Sequence, residues 1–279
     1  FGVYYIDITT LGNGVHHSDL TTAVYITLGV CSNTTRFVTY AYPNSISNTL
    51  EFNTFASRGK SSDFGDSTVS RTLMACTANA TRGAWAAGYN GSTRVDTIDY
   101  ITIASEGNAT DFGNTARIKL WNYGNCASTT RGIFMGGYHA GATINEIEYI
   151  TIGSTGNASD FGDLSSNRRR GAGASSSTRG LSMGGGDSNV DIIEYITIAN
   201  TGNMTDFGNL LAADYRVAAC CSGTRAICIG GDNAANTLQY VTIASTGDAQ
   251  DFGDLIASHY EENKGPGDTN GSSNCHGGL

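Results

Sequence analysis

The chain has 279 residues, 16 Lys and Arg against 25 Asp and Glu, a formal net charge of −9 and only 15% charged residues. An acidic chain without a basic surplus repels a phosphate backbone, which argues against nucleic acid as a partner. No run of about 18 apolar residues occurs, so no membrane-inserting helix is expected. The 37 glycines and the Thr, Ile, Val and Tyr crowding particular segments favour strands over helices.

From its first residues, which read as neither an initiator Met nor a signal peptide and suggest a processed chain, the sequence enters an apolar strand, Val3-Tyr4-Tyr5-Ile6-Asp7-Ile8. It continues through Thr10-Leu11-Gly12-Asn13 to a second strand around Ser18-Asp19-Leu20. This unit is an aromatic followed eleven positions later by an Asp-Phe-Gly-like string, and it recurs along the chain. The six pairs are Tyr5 and His16, Phe52 and Asp63, Tyr100 and Asp111, Tyr149 and Asp160, Tyr195 and Asp206, Tyr240 and Asp251. A period of 45 to 49 residues indicates a stacked or circular repeat.

The copy after Asp160-Phe161-Gly162 shows how each period divides. A small-residue strand around Arg170 to Ser175 (position a) turns at Ser177-Thr178-Arg179 into Gly180 to Met183 (position b). A loop leads to Ile192 to Ile198 (position c), and a Thr201-Gly202-Asn203 turn leads to the strand after Asp206 (position d). Four short antiparallel strands per period form the pattern of a β-propeller blade. Position c reads as Ile101-Thr102-Ile103 or Ile150-Thr151-Ile152, nearly continuous as expected of a strand covered on both faces. Position a is small, as in Gly171-Ala172-Gly173-Ala174, and suits the axis where backbones approach.

The expected fold is all-β: one six-bladed β-propeller domain over residues 1–279 with four-stranded antiparallel blades. Repeats fall near 21–65, 66–113, 114–162, 163–208 and 209–253. Residues 1–20 would supply positions c and d of a closing blade, and residues 254–279, ending near Gly277-Gly278, positions a and b. Such a clasp removes two sheet faces from water.

Within the repeat, Asp63, Asp111, Asp160, Asp206 and Asp251 are expected to be structural turn residues. Asp would accept backbone N–H bonds, Phe pack between blades and Gly take a strained backbone angle. Calcium held by Asp160 and Asp163 or their equivalents is the competing reading, against an expectation of no metal and no cofactor. The pairs Thr35-Arg36, Thr81-Arg82, Thr130-Arg131, Thr178-Arg179 and Thr224-Arg225 place Arg at hairpin turns, where it would bond carbonyls or acids of the adjacent blade. Cys31, Cys126 and Cys220 share one register of position a and read as small buried residues, and the odd total of seven leaves disulfides open.

The distance from the turn Arg to the position-c aromatic varies over 16, 18, 18, 16 and 15 residues, whereas the other spacings are nearly fixed. The b–c loops are therefore the variable ones, on the same rim as the d–a connections. That rim would carry Tyr42, Tyr89, Tyr138, His139, Asp187 and Asp232, with Arg168 and Arg169 near a d–a connection, as candidate ligand-binding residues. Aromatic faces and planar donors suit sugar rings or a protein surface.

An Arg-led small strand, a tight turn, an apolar strand ending in Gly136-Gly137, Gly184-Gly185 or Gly230-Gly231, then Glu148-Tyr149 or Glu194-Tyr195, resembles the kelch repeat. The Trp usual on the outer strand of kelch blades is missing. The recurring Tyr-Ile-Thr-Ile-Ala-Ser-Thr-Gly-Asn string running into Asp-Phe-Gly is similar to repeats of virion or tail-associated proteins of aquatic tailed phages. The resemblance implies a fold and a setting, not an activity.

The functional expectation is a non-enzymatic structural and recognition module on a virion or extracellular surface. Its partners would be other assembly subunits or a cell-surface glycan bound through the b–c rim. The alternative is a carbohydrate-active enzyme: a glycosidase using acids among Glu261, Glu262, Asp187 and Asp232, or a sugar oxidase using His139 and His259.

Overall fold

The computed structural model describes residues 2–21, 29–41, 46–120, 124–233 and 236–255. The fold is a β-propeller of four-stranded antiparallel blades, and no helix occurs among these residues. The first sheet has two strands, β1 (Gly2–Tyr5) and β2 (Val15–Asp19). Blade 1 holds β3 (Val30–Ser32), β4 (Arg36–Tyr40), β5 (Thr49–Thr54) and β6 (Ser62–Asp66). Blade 2 holds β7 (Ala75–Ala78), β8 (Arg82–Ala86), β9 (Thr97–Thr102) and β10 (Thr110–Asn114). Blade 3 holds β11 (Cys126–Ala127), β12 (Arg131–His139), β13 (Ala142–Thr151) and β14 (Ser159–Asp163). Blade 4 holds β15 (Ala172–Ser175), β16 (Arg179–Met183), β17 (Val190–Thr197) and β18 (Thr205–Asp214). Blade 5 holds β19 (Ala218–Cys221), β20 (Arg225–Ile229), β21 (Thr237–Thr242) and β22 (Gln250–Asp254).

The described residues thus make five complete blades where six were expected, plus the β1–β2 pair. The positions a and b assigned to 254–279 lie, beyond Leu255, outside the described residues.

Each joint between blades repeats one set of bonds. The c–d turn of a blade lies against the outer strand of the blade before it. Gly107 N–H donates to Phe64 O, Ala109 N–H donates to Asp66 O, and Asn108 Oδ1 accepts from Asp66 N–H. The same three bonds join blades 2 and 3 through Gly156, Ala158 and Asn157. They recur at the next two joints with Asn203 and Asp248 as the side-chain acceptors. On blade 5 the docking turn is that of the N-terminal pair, where Gly12 and Gly14 donate to Phe252 O and Asp254 O and Asn13 Oδ1 accepts from Asp254 N–H. The far side of that pair meets blade 1, with Ser61 N–H donating to Asp19 O at 3.0 Å. The β1–β2 pair therefore bridges the fifth and first blades.

These contacts correct the role expected of the Asp-Phe-Gly string. It lies inside the outer strands β6, β10, β14, β18 and β22 and not in a turn. Asp63, Asp111, Asp160, Asp206 and Asp251 are exposed, and none of the hydrogen bonds among the described residues uses their carboxylates. Asn and Asp side chains of the next blade supply that capping. The glycine makes room: Gly113 sits at φ 145°, and a Cβ there would come within 2.5 Å of the Gly156 carbonyl. The Phe is buried and meets the position-c aromatic edge to face, as in Tyr100 on Phe112 with ring centroids 5.7 Å apart.

The Thr-Arg turns take the place expected of them and add a stack. Arg82, Arg131, Arg179 and Arg225 each donate to a carbonyl at the end of the next position-c segment: Ile152, Ile198, Ile243 and Ile8 respectively. Each also lies over its own blade's aromatic, Arg179 at 4.3 Å from the Tyr195 ring centre. The turns are closed by a side chain three residues before the Arg, Asn33 and Asn79 accepting through Oδ1 and Ser128, Ser176 and Ser222 through Oγ. Near the axis a small residue of one blade presses on a glycine of the next, Cys31 on Gly83 and Cys126 on Gly180. Cys31, Cys126 and Cys228 are buried free thiols.

Candidate recognition rim

Beneath the rim formed by b–c loops and d–a connections runs a row of buried acids, one residue before each position-c aromatic. Glu51, Asp99, Glu148 and Glu194 occupy it, with Gln239 in blade 5. Each accepts a backbone N–H from the connection entering its blade: Thr21, Thr68, Ala116, Ser165 and Leu211. Three residues further along that connection stand Arg71, Lys119 and Arg168, which pair with Asp99, Glu148 and Glu194. In blade 5 both partners change together, to Gln239 and a buried Asp214.

This corrects the reading of Arg168 as a rim ligand: it is buried against Glu194. Burial draws its guanidinium down to about 10, still charged at neutral pH. Burial also opposes the Arg71 charge, but Tyr40 and Asp99 outweigh it and hold the pKa above its ordinary value.

Above this layer the rim brings several candidates together. Tyr138, at the end of β12, has Arg94 of the blade 2 loop over its ring at 5.1 Å and Arg169 of the blade 3 to blade 4 connection at 4.8 Å. Arg169 Nε lies 2.6 Å from Asp187 Oδ1, and Thr143 Oγ1 donates to Asp187 Oδ2 at 2.6 Å. A second group lies between blades 4 and 5. Arg170 and Arg216 flank the Tyr215 ring at 5.9 and 4.7 Å, and Arg216 pairs with Asp232 at 2.9 Å. Asp232 also accepts from the Tyr215 phenol, and that bond holds the phenol's pKa above its usual value.

No protein family matches this chain, and no curated protein is similar to it in sequence. The reading of the rim rests on its own geometry.

The remaining candidates do not join these groups. Tyr89 donates its hydroxyl to the Gly91 carbonyl, and His139 Nδ1 lies 2.7 Å from the Ile118 carbonyl. Tyr42, His259, Glu261 and Glu262 lie outside the described residues. Asp187 and Asp232 are each held by their own arginine, and among the described residues no three His, Cys, Asp or Glu side chains gather as a metal site. The sequence reading missed Arg94, Arg170, Tyr215 and Arg216. Arg170 and Arg216 hold left-handed backbone angles, φ 62° and 59°, which a non-glycine residue adopts at a cost.

Proposed function

We propose that the chain is a non-enzymatic, kelch-like, six-bladed recognition and assembly module of a virion or other extracellular surface, binding a glycan or a partner subunit through the b–c rim. The sixth blade combines the β1–β2 pair with strands from the C-terminal residues. The observation that carries the reading is the contrast between the rims. On one, each turn arginine stacks on an aromatic of its own blade and spends its N–H groups on an inter-blade carbonyl, Arg131 on Tyr149 and Ile198 O being typical, while Asn157 accepts from Asn114 N–H. On the other, arginines and tyrosines from different blades stack in the row Arg94, Tyr138, Arg169 and Arg170, Tyr215, Arg216. Flat guanidinium and phenol groups held by stacking lose little further freedom on binding, and Tyr and Arg dominate binding hot spots.

The test is saturable binding of the purified chain to intact cells and a glycan panel. Binding without turnover is expected, lost when Tyr138 and Tyr215 are replaced by Ala and kept when Glu106 on the opposite rim is replaced. Glycan turnover that disappears with Asp187→Asn or Asp232→Asn would establish a carbohydrate-active enzyme instead.

A further inference from the structure

We infer that Arg94, stacked on the Tyr138 ring that Arg169 of the Arg169–Asp187 pair also covers, forms a carboxylate-binding subsite that takes a uronic acid residue of an acidic polysaccharide. The inference rests on the proposed recognition role of the rim. Tyr138 already carries two guanidiniums over its ring, so its value to a ligand lies in the arginines it holds. They differ in one respect. Arg169 is paired with Asp187, whereas the guanidinium of Arg94, a half-buried residue, has no carboxylate or carbonyl partner among the described residues. Stacking fixes the plane of its N–H fork in advance, and that fork matches a carboxylate through two parallel hydrogen bonds.

The carboxylate paired with the second arginine selects among carboxylate ligands. Asp187 has a side chain 58% exposed, yet Arg169 and Thr143 orient it, leaving it ready to accept hydroxyl protons. An acidic peptide and a polyuronate both bring carboxylates for Arg94, but the peptide faces Asp187 with like charge and no ring hydroxyls. A polyuronate brings hydroxyls for Asp187 as well, so one oligosaccharide meets both groups.

The probes are oligogalacturonate, its fully methyl-esterified form, a neutral galactan and poly-glutamate, titrated by calorimetry against the full chain, Arg94→Gln and Arg94→Lys. Thermal melts of the variants report on folding. Expected is binding to oligogalacturonate that weakens at least tenfold on methyl esterification and in Arg94→Gln, with Arg94→Lys intermediate and melts unchanged. Equal binding of the esterified or neutral glycan, or an unaltered Arg94→Gln, overturns the inference and leaves rim recognition standing. Preference for poly-glutamate overturns it in favour of an acidic protein partner. Absence of binding to every probe overturns the uronic acid subsite; the recognition reading fails only if the cell-binding test fails as well.

Discussion

Lys119 Nζ and Glu148 Oε2 lie 2.7 Å apart with both side chains closed to solvent. Glu148 has a second duty, because its Oε1 accepts the Ala116 N–H at 3.0 Å. Glu148→Gln keeps that second bond, as Gln239 keeps its bond to Leu211, but leaves a buried ammonium uncompensated. Loss of one partner of a buried pair costs about 3–5 kcal/mol, whereas removal of both charges is near neutral. Urea unfolding should show that loss for Glu148→Gln and recovery of most of it when Lys119→Met is added. A single change costing under about 1 kcal/mol would mean that the pair is hydrated in solution.

Two glycines separate strain from collision. Gly107 and Gly113 hold similar backbone angles, φ 151° and 145°, but a Cβ on Gly107 meets nothing within 4 Å and one on Gly113 meets the Gly156 carbonyl. Ala at either site pays the conformational penalty. Only Gly113→Ala also pushes the blade 3 turn off β10, adding an overpacking cost of about 1–3 kcal/mol. Denaturation midpoints should therefore fall further for Gly113→Ala, and equal losses would mean that the blade 3 turn does not press on β10 at this glycine.

The periodic part of this architecture was legible because its residues recur at fixed offsets. Tyr149, Asp160 and Arg131 have counterparts in every complete blade, so register and strand order could be read from any copy. What the Asp does was not legible, since an Asp-Phe-Gly string suits a turn as well as an outer strand whose glycine admits the next blade. The three consecutive arginines show the harder case. Arg168 is buried on Glu194, Arg169 stacks on Tyr138 and Arg170 stacks on Tyr215. Local sequence gives all three as surface charges. A signal was present in the pairing of a position-c acid with a basic residue in the preceding connection, as in Arg71 with Asp99 and Lys119 with Glu148, and in its joint loss at Asp214 and Gln239. Arg94 had no such signal, because it lies in a loop whose length varies between blades.

Cys228 offers a pH test. It is buried, and burial pushes its thiol up to about 12, above the ordinary value of about 8.5 expected in the unfolded chain. The folded state then holds its proton more tightly than the unfolded state. The contribution is present in full below the unfolded value and is lost as pH rises toward about 12. Urea midpoints measured at neutral pH and at stepped pH values above 9 should fall more steeply for the natural chain than for Cys228→Ala. Parallel curves would show that the thiol does not stay protonated through that range.

Closure of the ring concentrates on Ile8. Its carbonyl accepts from Arg225 Nη1 at 2.9 Å, and its side chain packs with Ile6 on the cluster of Ile227, Leu238 and Phe252. Ile8→Asp keeps the backbone acceptor but puts a carboxylate against that apolar face, which is unfavourable by several kcal/mol unless the segment lifts away. Lifting removes the Gly12 and Gly14 bonds to β22 as well, because they belong to the same turn. The expected result is a chain that keeps its strand spectrum by circular dichroism but binds an apolar dye and elutes as oligomers, since the uncovered face of blade 5 becomes adhesive. Leu11→Asp, at a side chain 60% exposed on the same turn, should elute as the natural chain does. If both variants elute as the natural chain does and stay dye-negative, the N-terminal pair contributes little to holding the ring shut.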